Sequence, residues 1–346
     1  MAKKAIPTTV TMSLDEMRAL CVAAARNAGA RKGMARSLAD ATVAAEAEGQ
    51  KSVGLAHFFD YTDSMRAGRI DGRAKPKVTK VRPGIFHVDA GGGLAQYGYD
   101  RAFKRLVRAA RKRGLALFSQ TNAYTCGSLG YHAERLANEG LVAIAATNGP
   151  ALIAGGGATK PIYCTNPMAF AAPVADGPPL LIDQSSSSTA FVNVRAAAEA
   201  GKALPAGWAV DKDGKPTTDA KAAMDGALLA FGGARGSNIA LMVEVLAAGL
   251  SGANWSLDAP SIFKGARSPA TGLFVLAIDP KSLAPDFAER LGAQLTRLAD
   301  EYGVYIPGRS KAQASSKAQA EGMAVEAALA RKLRREAGET TDTASA

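Results

Sequence analysis

The hydrophobic period of this chain changes near residue 76, and only a mixture of helix and sheet accommodates both halves of the pattern. Beyond that point "KVTKVRP" and "IFHVDAG" alternate as half-buried strands do. "LALFSQ", "LVAIAATN", "MAFAAPV" and "PLLIDQS" are short, mostly apolar runs bounded by Gly, Pro, Asn or Ser, the pattern of buried strands. "GLFVLAIDP" is predicted as the last strand. Between the runs, "GYHAERLANEG" and "NVRAAAEAGKALP" are predicted helices, and "GGG" at 91–93 turns the chain into a basic helix. "SNIALMVEVLAAGLSG" (237–252) carries few charges and reads as a buried helix. "GWAVDKDGKPTTD" reads as a polar, turn-rich excursion.

Ahead of residue 76 the spacing is helical. Ser13 and Glu16 stand in capping-box spacing, with Leu14, Met17, Leu20 and Ala24 on one face, so a helix runs to about Gly29. A second covers about 34–48, and "FFDYTDSMRAGRI" makes a third that ends at Gly68. "PDFAERLGAQLTRLADEYG" is amphipathic, the tail after 308 is helical in places, and "GETTDTASA" is expected to be disordered. The fold class is therefore α/β. A helical domain is expected from residues 1–75 plus 280–346, and a mixed-sheet domain from 76–279.

Composition narrows the function. No apolar run reaches bilayer-spanning length, and "MAKKAIPTTV" lacks the apolar core of a secretory signal, so no membrane association is expected. Three cysteines, far apart and in no metal-ligand spacing, suit a reducing cytoplasm and give no metal site. The net charge of +11 is partly local, in "RAFKRLVRAARKRG" (101–114). Apolar residues opposite those charges make it a solvated amphipathic helix packed on a sheet. Without interleaved aromatics or a nucleic-acid motif it does not indicate nucleic-acid binding, and a small anionic substrate accounts for a basic protein equally well.

A dinucleotide fingerprint G-x-G-x-x-G is absent: "GGGLAQ" and "GGGATK" lack its third glycine and open no suitable helix, which disfavours a Rossmann domain. Three stretches instead place small or hydroxylated residues between a strand and a helix start: "NAYTCGSLG" (122–130), "DQSSSSTAF" (183–191) and "GGARGSN" (232–238). Free N–H groups there favour anions, and Arg235 adds a charge for a phosphate. His87 lies in a strand and His132 in a helix, both read as structural. His57 follows Ser52 and Gly54 in a hinge between helices and is the candidate for chemistry.

In this order the pieces resemble the malate/L-lactate dehydrogenase family of non-Rossmann NAD(P)-dependent oxidoreductases. The likeness covers about residues 12–310 and is carried by "RAGRIDGRAKPKV", "CTNPMAFAAPVADGPPLLID", "LPAGWAVDKDGKPTTD", "GALLAFGGARGSNIALMVEVLAAGLSG" and "GARSPATGLFVLAIDP". The last two look closest to its piperideine/pyrroline-2-carboxylate reductase branch. The resemblance implies an unusual mixed-sheet cofactor domain, a helical substrate and dimerisation domain, and a homodimer. Asn122, Tyr124, Thr125, Cys126, Gly127 and Ser128 match positions of cofactor contacts in the family. So do Asp183, Gln184 and Ser185, then Ala234 and Arg235, and the segment at Gly308 and Arg309. Thr165 matches a substrate-contacting threonine.

The match fails at the proton relay. The family hinge S-H-G-x-x-R supplies a donor histidine and a carboxylate-gripping arginine, oriented by a distant aspartate. Here the hinge reads "SVGLAH": Ser52 remains, Val53 replaces the histidine, His57 stands at the arginine, and Asn193 takes the aspartate's place. Interconverting a 2-oxo acid and its alcohol needs a positioned acid or base, which Val53 cannot be. A cyclic imine can be protonated before hydride arrives, so loss of the relay weighs less against imine reduction. The catalytic candidates are Ser52, His57 and Asn193; Tyr124 is a second candidate donor, and a protonated His57 is a candidate carboxylate contact. The reading is an NAD(P)H-dependent reductase of a small carboxylated cyclic imine. Its alternatives are a malate/lactate-type 2-hydroxy acid dehydrogenase and a non-catalytic nucleotide- or metabolite-binding member of the fold. Arg235, Arg309 and Lys311 favour NADPH, with NADH left open.

Overall fold

A computed structural model describes residues 8–339. The basic start of the chain and most of "GETTDTASA" lie outside the described residues. Strand β1 (Thr9–Met12) leads into helices α1 (Leu14–Asn27), α2 (Lys32–Ala47) and α3 (Leu55–Arg66). Ser13 caps α1 as its spacing predicts, its Oγ accepting the Glu16 N–H at 3.1 Å. Then come β2 (Lys77–Arg82), β3 (Ile85–Asp89), α4 (Ala95–Arg113), β4 (Leu115–Ala123), α5 (Leu129–Ala137) and β5 (Val142–Thr147). Short β6 (Ile153–Ala154) and β7 (Pro161–Tyr163) precede β8 (Met168–Ala172) and β9 (Leu180–Gln184). The next elements are α6 (Phe191–Glu199), β10 (Ala209–Val210), β11 (Pro216–Thr217), α7 (Ala220–Met224) and β12 (Ala227–Leu229). Helix α8 (Ala234–Glu244) runs into a π-helical turn, Val245–Gly249. The chain continues with β13 (Thr271–Ile278), α9 (Phe287–Tyr302), α10 (Arg309–Glu321), β14 (Met323–Glu326) and α11 (Ala327–Ala337).

The main sheet has seven strands in the order β2-β3-β4-β13-β5-β8-β9. Only its β3–β4 pairing is parallel, so the sheet is mixed, as expected. Alternation gives each strand two working faces. Phe118 and Val275 share a core with Leu106 and Ala110 of α4 and Leu136 of α5, while Ala146 and Phe274 share one with Val243 and Ala247. The "GWAVDKDGKPTTD" segment is more regular than its composition predicts. It forms the hairpin β10–β11, with the Asp211 carboxylate accepting the N–H groups of Asp213 and Lys215, each at 2.9 Å. That hairpin edges a second sheet, β11-β10-β12-β6-β7.

Met17, Met34, Leu38 and Phe58 of the first three helices share a core with Met323, Val325 and Leu333 from the other end of the sequence. Strand β14 pairs antiparallel with β1, so "GLFVLAIDP" is not the last strand. Helix α9 packs elsewhere, beside Val174 and Ala175, where the Ala175 N–H donates to the Ala288 carbonyl at 3.1 Å. The 237–252 segment corrects its expectation in part. Ala240, Val243 and Ala247 are buried, whereas Leu241, Met242, Val245 and Leu250 are 47–60% exposed. Among the described residues no helix is long and apolar enough to cross a membrane.

Candidate active site

The hinge 49–54 is held by one buried carboxylate. Glu46 accepts the Leu55 N–H at 2.8 Å, supplying the α3 N-terminus with the cap that Gly54 lacks, and pairs with Lys51. Gly54 lies so close that a Cβ there would overlap the Glu46 carboxylate. Ser52 is exposed, with no side-chain hydrogen bond among the described residues, and Val53 is half-buried. In the first turn of α3, the His57 Nδ1 lies 2.8 Å from Asp60 Oδ2. The His57 ring meets Tyr61 edge-on at 4.8 Å. The Tyr61 hydroxyl donates to the Thr125 carbonyl at 3.1 Å and accepts from Thr125 Oγ1 and Gln96 Nε2. The hinge helix is thereby pinned to the 122–128 loop. Asp60, Tyr61 and Gln96 escaped the sequence reading, although Asp60 stands one helical turn from His57.

Within that loop Asn122 takes positive φ (54°) and donates to Asp89 at 3.1 Å. Tyr124 is fully buried, and its hydroxyl is committed: it donates to the Ile262 carbonyl at 2.9 Å and meets Ser64 Oγ at 3.0 Å. Burial also raises its pKa, so Tyr124 does not stand as a proton donor. Cys126 is buried as well, its thiol pushed up to about 12, so it is inert. Gly127 supplies positive φ (70°), and Ser128 begins α5.

The N-terminus of α5 is not open to an outside anion, contrary to the expectation for "NAYTCGSLG". Asp183, at the end of β9, accepts the Gly130 N–H at 2.7 Å and approaches Ser128 Oγ at 3.5 Å. Burial raises the Asp183 pKa against the Gly130 bond and the charge of Lys311. Gly308 packs on the same strand, where a Cβ would stand 2.9 Å from the Leu181 nitrogen, and Arg309 is exposed at the start of α10. Asn122–Ser128, Asp183, Gly308 and Arg309 thus come from distant segments into one neighbourhood.

From Asp183 the chain leads to a second group. Gln184 is exposed, Ser185 and Ser187 hydroxyls lie 2.9 Å apart, and the Ser186 N–H donates to the Thr165 carbonyl at 2.7 Å. Asn193 is exposed and donates to Thr189 at 3.1 Å; no hydrogen bond joins it to Ser52 or His57. Beyond lies a cleft of about 620 Å³ between Gly155–Ala158 and Gly232–Asn238, with Ser188 and Gly207 on its wall. The Gly156 N–H donates to Ser237 Oγ at 2.8 Å, which ties the two loops across it. "GGGATK" therefore contributes by facing another helix rather than by opening one. Ala234 lines the cleft at the start of α8; the adjacent Arg235 is exposed, with no ion pair among the described residues.

The sequence matches the family model for malate/L-lactate dehydrogenase over residues 12–334. The chain belongs to that family. It is 37% identical over 328 residues to the delta(1)-pyrroline-2-carboxylate/delta(1)-piperideine-2-carboxylate reductase of Pseudomonas putida, covering 94% of this chain and 96% of that protein. It is 38% identical over 298 residues to the (2R)-3-sulfolactate dehydrogenase (NADP(+)) of Chromohalobacter salexigens, covering 86% and 89%. The crystal structure of delta1-piperideine-2-carboxylate reductase from Pseudomonas syringae pv. tomato superposes with a TM-score of 0.91 at 34% identity, covering 95% of this chain and all of the other.

As a malate/L-lactate dehydrogenase family member the protein is an NAD(P)-dependent oxidoreductase, and its cleft fits the group. Gly157, Gly232 and Gly233 line it, and a Cβ at any of them would meet no protein atom within 4 Å, so the lining is backbone open to a ligand. Backbone N–H groups and a helix start suit dinucleotide phosphates, and the exposed Arg235 adjoins Ala234 of the lining. When bound, the nicotinamide supplies hydride. The chain's own residues would hold the phosphates and orient the acceptor.

Proposed function

We propose that the protein is an NADPH-preferring reductase of a small carboxylated cyclic imine of the pyrroline- or piperideine-2-carboxylate type. The observation that carries this reading is Val53 in a hinge that keeps Ser52 and Gly54 on a retained scaffold. An aliphatic side chain where proton transfer is normally performed suits a substrate whose nitrogen takes up its proton ahead of hydride. It suits poorly a hydroxy acid, whose oxygen must exchange a proton during the reaction. The names of the relatives in Pseudomonas point the same way.

In this reading the loop Asn122–Ser128 with Asp183, Gln184 and Ser185, the cleft at Ala234 and Arg235, and the segment at Gly308 and Arg309 hold the cofactor. Ser52, His57 and Asn193 line the reacting end, and Thr165 contacts substrate. Exposed Arg235 and Arg309 support a 2′-phosphate, hence NADPH over NADH. The protein acts as a homodimer in the cytoplasm on a small anion.

Titration with NADPH and NADH followed by a substrate panel tests the proposal. Expected are tighter NADPH binding and turnover of cyclic imines but not of lactate or malate. Cofactor binding with no turnover of any imine or 2-oxo acid would establish a non-catalytic member instead. Restoring the relay with Val53→His and Asn193→Asp is expected to raise activity on 2-oxo acids by about tenfold or more. No gain would mean that the pocket has been rebuilt beyond those two positions.

A further inference from the structure

The missing relay leaves a question of proton supply, and α3 contains an arrangement that answers it. His57 and Asp60 are one helical turn apart, with Nδ1 2.8 Å from Oδ2. A carboxylate only accepts, so this contact places a ring hydrogen on Nδ1 and leaves Nε2 without a protein hydrogen-bond partner among the described residues. The His57 side chain is 14% exposed, against 37% for Asp60: the imidazole is sheltered and its carboxylate faces water. Edge-on packing against Tyr61 fixes the ring, and Tyr61 is bonded on both sides to Thr125 in the loop assigned to the cofactor. A histidine aligned by a carboxylate and held by a rigid neighbour has the parts of a general acid.

We propose that His57 is the proton donor of this enzyme and that Asp60 is its positioning residue, a pair confined to one helix in place of the relay divided between positions 53 and 193. The inference rests on the imine-reductase reading. The protonated imidazole breaks its Nε2–H bond as the imine nitrogen gains a hydrogen, leaving neutral imidazole and an iminium. A bound reduced nicotinamide would supply the hydride that the iminium carbon accepts, giving the amine. Imidazole regains its proton from water. Asp60 stabilises the imidazolium and keeps Nε2 directed at the substrate.

The chain has three histidines, which makes the pair open to nitrogen NMR on histidine-labelled protein without cofactor. His57→Gln assigns the signal. In the deprotonated ring the hydrogen is expected on Nδ1, moving toward Nε2 in Asp60→Ala. Kinetically, Asp60→Ala is expected to lower kcat about tenfold and His57→Gln about 100-fold, with KM and the NADPH dissociation constant nearly unchanged. Asp60→Asn should recover the ring form but little of the rate. His57→Arg separates donation from carboxylate gripping: kcat should fall as in His57→Gln while KM does not rise. Wild-type turnover of an imine with kcat unaltered by Asp60→Ala, or with His57→Arg fully active, would overturn the pair and leave the imine-reductase reading intact. Absence of turnover on every imine would overturn that reading and the pair with it.

Discussion

Glu46 shows how much one buried side chain can determine here. Its carboxylate closes the N-terminus of α3, grips Lys51, and leaves room at residue 54 for glycine alone. Glu46→Ala strips the Leu55 N–H of its partner inside the protein, and a loss of about 2–3 kcal/mol is expected in urea unfolding. Glu46→Gln, which keeps the acceptor, should lose less. The sequence announces side chains that act locally and hides those that act across the chain. Ser13 with Glu16 was readable because a capping box spans four consecutive residues. Tyr61 was not, since Gln96 and Thr125 reach it from far along the chain. Tyr124 misled for the same reason: nothing near it in sequence reveals that Ile262 has taken its hydroxyl hydrogen.

At the scale of elements, the long apolar strands and amphipathic helices were legible because burial on one or two faces writes its period directly into the residues. The hairpin β10–β11 was not, because strands of two residues are too short to show a period and their partners are turn residues. The π-helical turn Val245–Gly249 also leaves no local signature; its requirement appears on another strand. Gly272 of β13 is where the Ala247 carbonyl comes down onto the sheet, and a Cβ there would overlap that carbonyl. Gly272→Ala is therefore expected to be among the most damaging single changes, costing about 3 kcal/mol or more, or abolishing soluble expression. The neighbouring Gly252, with open space around it, should accept alanine at the smaller cost set by its positive φ (70°).

For the whole molecule, pH and association are the accessible handles. Burial and the nearby Glu134 carboxyl raise the Glu48 pKa to about 7, with Lys311 opposing. The folded state thus holds this proton more tightly than the unfolded chain. The contribution is complete below the ordinary carboxylate range and is lost as pH rises through about 7. Wild type should accordingly lose roughly 1–2 kcal/mol between pH 5 and 8 that Glu48→Gln retains, as seen in paired thermal melts. The exposed apolar row Leu241, Met242, Val245 and Leu250 supports the proposed homodimer. Met242→Glu with Val245→Glu should move the sedimentation coefficient to that of one chain; an unchanged value would place the contact elsewhere. No periodicity argument separates such a face from a buried one, which is why residues 237–252 looked wholly interior.

The pairing of β1 with β14 bears on how the protein is made. Translation delivers α1 and α2 early, yet Met323, Val325 and Leu333, which complete their apolar core, emerge some three hundred residues later. A nascent chain stalled after α9 would carry those first helices with their greasy side bare, open to protease and to chaperones, until the closing strand left the ribosome.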